Sequence, residues 1–197
     1  MALPQEIKPF NSELMDTLVT EKKVQRVLGE YRPGSTYPGT PFAASLRNVA
    51  ALVAARMPTR VYFVALSGFD THSNQLFQHT NLLTQLSEGL AAFQKDLEAK
   101  KLDGQVTTMT FSEFGRRVEE NANRGTDHGT AAPHLLMGGK VTGGFHGAQP
   151  RLDSLDAGDL KFTTDYRQLY ATVARRWWGI ERDLGRLASY KPLELIG

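Results

Sequence analysis

The chain contains no cysteine, which excludes disulfide cross-links, thiolate metal sites and a cysteine nucleophile together. Nor is there an excess of charge of either sign. Lysine and arginine number 23 against 21 aspartates and glutamates, the net charge is +2, and no basic run is longer than two residues. A nucleic-acid backbone or an anionic membrane surface is held by clustered cations, so neither is an expected partner. No apolar run approaches the ~20 residues of a membrane span. The opening MALPQEIKPFNSEL has no basic stretch followed by an apolar one and does not read as a signal peptide. What remains is 197 residues of 41% hydrophobic content, enough for a real core. One domain over 1–197 is expected, with its core at about 37–180, an N-terminal helix and loop over 1–36 and a C-terminal tail over 181–197.

Apolar spacing suggests the elements. Leu14, Leu18, Val24, Val27 and Leu28 predict a surface helix over Asn11–Glu30, followed by a Pro/Gly-rich loop over Arg32–Gly39. Thr40 caps a second helix, Pro41 suits its first position, and Phe42, Leu46, Val49 and Val53 form its stripe. Arg60–Leu66 is a nearly continuous apolar run, as in a strand buried on both faces of a parallel sheet. A long helix over His79–Lys101 carries Leu83, Leu86, Leu90, Phe93 and Leu97 inward, and a strand over Gln105–Phe111 follows it. Such a strand-helix-strand unit has parallel strands, which places both following loops at one edge. Ser112–Arg117 reads as a short helical turn, Asn121–Thr130 as irregular, His134–Met137 as a third strand and Leu152–Thr164 as an extended surface segment. A last helix begins near Thr164, buries Tyr166, Leu169, Tyr170, Val173 and Trp177, and ends at Gly179. The expected fold class is α/β, a parallel β-sheet flanked by helices.

The two loops carry the groups able to do chemistry. Asp70 and His72 follow the first strand, and Asp127 and His128 lie beyond the second. Ligand sites of open α/β sheets lie past the carboxyl ends of strands. A carboxylate and a neutral imidazole are the usual ligands of hard to borderline divalent metals. Asp70 and His72, two apart, point to one side of an extended chain, whereas the adjacent Asp127 and His128 diverge and suit two neighbouring ions. A pair of ions about 4 Å apart holds the attacking and leaving oxygens of a phosphoryl or sulfuryl transfer. The bland alternative is an Asp that bonds its own turn beside histidines that merely face solvent. Arg116 is the candidate grip on a small anionic ester, with pairing to Glu113, Glu119 or Glu120 as the plainer role for it and Arg117. Ser112 beside His128 would make a serine hydrolase, but the GxSxG elbow is absent and helix capping explains this serine more simply.

Four stretches, SGFDTHSNQ, FSEFGRRVEEN, GTDHGTAAPHLLMGGKVTGGFHG and TTDYRQLYATVARRWWGI, in this order and over roughly Tyr37–Ile180, resemble the carboxyl-terminal half of the DUF1501 proteins. That family is similar to the alkaline phosphatase and sulfatase superfamily, which hydrolyses phosphate or sulfate esters with paired metals. The resemblance implies half of an alkaline-phosphatase-like fold and a site of divalent ions (Zn, Ca, Mg or Mn). Asp127-His128-Gly129 matches the superfamily's Asp-His-Gly metal motif; Asp70 and His72 are separated by one residue where the superfamily usually has three. His134 and His146 are the candidates for its last histidine ligand. Members of the family are about twice as long and usually begin with a twin-arginine export signal, which implies a periplasmic or exported parent. The nucleophile and first Asp ligand belong to the other half, and no residue before Arg60 replaces them. The expectation is therefore a metal-dependent phosphate or sulfate ester hydrolase domain lacking its nucleophile half, with association of copies through an exposed sheet edge. The alternative is a non-catalytic binding or structural module of the same fold.

Overall fold

The computed structural model of the protein describes residues 7–197. The chain gathers into two compact units, one made of residues up to Ala65 with Gln85–Lys100, the other of Leu66–Thr84 with Lys101–Gly197.

The first unit is helical. Helix α1 spans Ile7–Glu30, beginning before Asn11, where the apolar spacing placed its start. Helix α2 spans Pro41–Ala54, and the Thr40 hydroxyl accepts the amide of Ala43 at 3.2 Å, as the Thr-Pro pair predicts. Its buried side is Phe42, Ala43, Leu46, Ala50 and Ala51; the stripe rotates from the valines toward small residues. Helix α3 spans Gln75–Ala99, and its second half buries Leu90, Phe93 and Leu97 in this unit. Gly89 is required there, because a β-carbon would lie 2.9 Å from the Phe42 ring.

The same helix buries Asp96 completely. Its carboxyl oxygens accept the Tyr31 hydroxyl at 2.9 Å, the Tyr37 hydroxyl at 2.8 Å and the Gly34 amide at 2.6 Å, which ties the loop after α1 to α3. Burial, and next the hydrogen bond to Asp96, push both phenols far above the ordinary tyrosine range. A folded-state value above the unfolded one means the contribution to stability is complete below the unfolded value and is lost as pH rises through the folded one. We therefore expect the urea midpoint to hold up to about pH 9.5 and to fall steadily above about pH 10. Tyr37→Phe should flatten that decline. An alkaline slope unchanged by both Tyr31→Phe and Tyr37→Phe would show that these phenols do not set it.

The second unit holds three two-stranded antiparallel sheets among the described residues: β1 (Thr108–Met109) with β4 (Leu136–Met137), β2 (Gly115–Glu120) with β3 (Thr126–Gly129), and β5 (Leu155–Asp156) with β6 (Asp159–Leu160). Helix α4, Tyr166–Thr172, starts from an Asp165 capping box and continues as a π-turn over Val173–Trp177. Leu169, Leu195 and Ile196 form the core, with Met109, Leu136, Val173, Trp177 and Leu193 packed against it. The Leu193 amide donates to the buried Thr172 hydroxyl at 2.7 Å, and Val141 bridges to Ile196, so the last residues close this core. Tyr166, placed inward by helical spacing, is 60% exposed.

The parallel sheet flanked by helices, and with it half of an alkaline-phosphatase-like frame, is overturned: every strand pairing in the described residues is antiparallel and two-stranded. Arg60–Leu66 belongs to no strand, and Val61 and Phe63 are 64% and 74% exposed. An apolar run of this length reports β-propensity and not the identity of a hydrogen-bonding partner, and it is compatible with several environments. Only Thr108–Met109 of the second expected strand joins a sheet, with the later Leu136–Met137 running in the opposite direction. Ser112–Arg117 is extended into β2 and not helical, and β3 occupies the end of the segment read as irregular. Leu152–Thr164 contains the β5–β6 hairpin. No helix of the described residues is long and apolar enough to cross a membrane.

Candidate metal centre

The centre is built from one loop and one hairpin of the second unit. In the loop, Thr71 is 5% exposed while Asp70 and His72 on either side face solvent, the alternation expected of extended backbone. The Thr71 hydroxyl lies 2.9 Å from His79 Nε2 and accepts Gln75 Nε2 at 3.1 Å. These partners sit on the first turns of α3, so the helix that follows the loop also holds its buried side.

The hairpin supplies the other ligand. In β2–β3, Gly115 pairs with Gly129 and Arg116 with His128. The turn is stabilised by Asn121, whose Oδ1 accepts the amides of Asn123 and Gly125 at 2.9 and 3.1 Å. Loop and turn are laced together. Asn74 donates its amide to the Asn123 carbonyl at 3.1 Å, Gln75 to that of Arg124 at 3.0 Å, and Asn121 Nδ2 donates to the His72 carbonyl at 3.2 Å. Gly125 permits this approach, since a β-carbon there would sit 2.5 Å from the His72 carbonyl carbon and oxygen.

The result is a group of three. His128 Nε2 lies 2.7 Å from Asp70 Oδ1, His72 Nδ1 lies 3.4 Å from the same oxygen, and the three ligand atoms all fall within 4.8 Å of one another. The His128 ring stacks flat on Phe114, centroids 3.8 Å apart at 8°, and meets the His72 ring at 4.9 Å and 41°. Donors bound to one ion at about 2.1 Å stand roughly 3–3.5 Å apart, a spacing of the same order as the one between these atoms. All three side chains are open to water, Asp70 at 69%.

The remaining sequence candidates fall elsewhere. Asp127 lies outside the group because adjacent strand residues point to opposite faces, and its Oδ1 accepts Asn121 Nδ2 at 3.4 Å. His134 is half-buried against Thr110, and burial lowers its pKa; His146 Nε2 is 3.0 Å from the Thr142 carbonyl. The Ser112 hydroxyl donates to the Phe114 carbonyl at 2.9 Å. Arg116 faces inward, donating to the carbonyls of Phe69 and Thr126 and lying over the Phe114 ring. Arg117 pairs with Asp159 at 3.6 Å. Residues that composition could not single out, Thr71, Phe114 and Gly125, shape the centre. The one signal for them was the period of two, which puts Thr71 opposite its neighbours.

Comparison with known proteins gives one finding. A family model described as "Protein of unknown function (DUF1501)" matches residues 2–187. No curated protein and no solved structure matches the chain.

Proposed function

We propose that this chain, which belongs to the DUF1501 family, binds one divalent metal ion through Asp70, His72 and His128. The observation that carries the proposal is the convergence of two imidazole nitrogens and one carboxylate oxygen within 4.8 Å, from segments 58 residues apart. Two nitrogens and one oxygen suit the borderline ions of the zinc class better than Mg or Ca, which prefer all-oxygen shells. Three protein ligands also match the number found in catalytic zinc sites, which keep a further position for water or substrate.

A bound ion would supply Lewis acidity toward a phosphate or sulfate ester oxygen, and metal-dependent hydrolysis of such esters is the activity we assign to the site. The chain's residues would hold and orient that ion. Asp70 would contribute the negative charge, and Phe114 would fix the plane of the His128 ring by stacking. A metal-stabilised module without turnover is the second reading, favoured by the exposure of all three ligands.

Calorimetric titration of chelator-treated protein tests the first step. One equivalent of Zn2+ should bind, Mn2+ more weakly and Mg2+ weakest. Absence of zinc binding would overturn the proposal. With zinc bound, turnover of aryl phosphate or aryl sulfate that chelation abolishes supports the hydrolase, and its absence supports the module.

A further inference from the structure

We infer that Arg116 is a positioning residue for the metal centre, acting through the backbone of the Asp70 loop and the ring beneath His128. The inference rests on the metal reading above. One guanidinium nitrogen donates to the Phe69 carbonyl, immediately before Asp70, and is 3.4 Å from the Thr71 hydroxyl, immediately after it. The other terminal nitrogen donates to the Thr126 carbonyl on β3, two residues before His128. The guanidinium carbon stands 5.0 Å over the Phe114 ring, which itself stacks on His128. Arg116 is also the cross-strand partner of His128 in the β2–β3 ladder.

This arrangement couples the two halves of the site. Asp70 and His72 come from the loop and His128 from the hairpin; among the described residues the loop pairs with no strand, and besides the bonds that Asn74, Gln75 and Asn121 make between loop and turn it is held to β3 by this guanidinium. The planar fork of arginine reaches two acceptors in fixed directions at once, which an ammonium on a flexible stem does not reproduce. The fork bridges loop and strand on either side of Asp70, so it sets the spacing between Asp70 Oδ1 and His128 Nε2. Partners behind metal ligands are worth 10- to 100-fold in affinity in characterised sites, roughly the effect expected here.

The test uses Co2+ as a spectroscopic probe with wild type, Arg116→Gln and Arg116→Lys. Wild type should bind one equivalent and give a visible ligand-field band. Arg116→Gln should bind about 10- to 100-fold more weakly, with a changed band, while far-UV circular dichroism and cooperative melting are kept. Arg116→Lys should restore less than half of the lost affinity on a logarithmic scale. An affinity within threefold of wild type and an unchanged band in Arg116→Gln would overturn the inference, with the metal reading left standing. If wild type itself binds no cobalt or zinc, both fall. Should Arg116→Gln fail to fold, Arg116→Lys carries the test by the same threshold and the same band.

Discussion

His128→Ala is expected to weaken zinc binding by on the order of 100-fold or more, since losing a ligand exceeds the 10- to 100-fold effect of losing the partner behind one. The imidazole removed is the one 2.7 Å from Asp70 Oδ1, and the two donors left, Asp70 and His72, come from one loop. Asp70→Ala should do as much, because it removes the only anionic member of the group. The fold should tolerate both. Asp70 is largely and His128 partly exposed, and the stack on Phe114 that His128→Ala deletes is worth about 1 kcal/mol. Asp127→Ala is the informative control: the residue neighbours His128 and carries the same charge as Asp70, yet it stands outside the group. It should bind zinc within threefold of wild type. Competition against a chromophoric chelator measures all three. Equal losses in Asp127→Ala and Asp70→Ala would mean that general negative charge, and not this geometry, attracts the ion.

Asp96→Ala should destabilise the helical unit strongly, by about 3–5 kcal/mol. It leaves the Tyr31 and Tyr37 hydroxyls and the Gly34 amide without their shared acceptor, and each buried donor left unmet costs about 1–3 kcal/mol. Water reaches the exposed Gly34 and the half-buried Tyr37, which keeps the sum below the maximum. Asp96→Asn retains one acceptor oxygen and should lose roughly half as much. Urea unfolding followed by tyrosine fluorescence reads the difference, and an alanine variant within about 1 kcal/mol of wild type would remove Asp96 from this role.

Local geometry was more legible in the chain than the frame that carries it. Asp70-Thr71-His72 displays its geometry in its spacing, because extended backbone alternates sides whatever sheet it joins. The same rule sends Asp127 and His128 to opposite sides; the spacing suggested two neighbouring ions, whereas Asp127 stands outside the group of three. Thr40-Pro41 marks a helix start through local capping that needs no distant partner. Failure came where the outcome depended on pairing. The apolar run Arg60–Leu66 looks like a buried strand, but it joins no sheet, and Ser112–Arg117 looked like a capped turn before Gly115 and Gly129 brought two strands together.

By itself, the sequence determined what depends on neighbours a few residues away: that helices form around Pro41–Ala54 and Gln75–Ala99, that Thr40 caps the first of them, that Asp70 and His72 share a side, and that nitrogen and oxygen donors are on hand without a thiol. Tertiary structure alone decided which strand meets which and in what direction, that His128 reaches Asp70 across 58 residues, and that Arg116 turns inward to hold the loop. The physical reason is that hydrogen-bonding partners in a sheet, and close approaches such as that of Gly125 to His72, are chosen by competition among distant segments. No local propensity records the result of that competition.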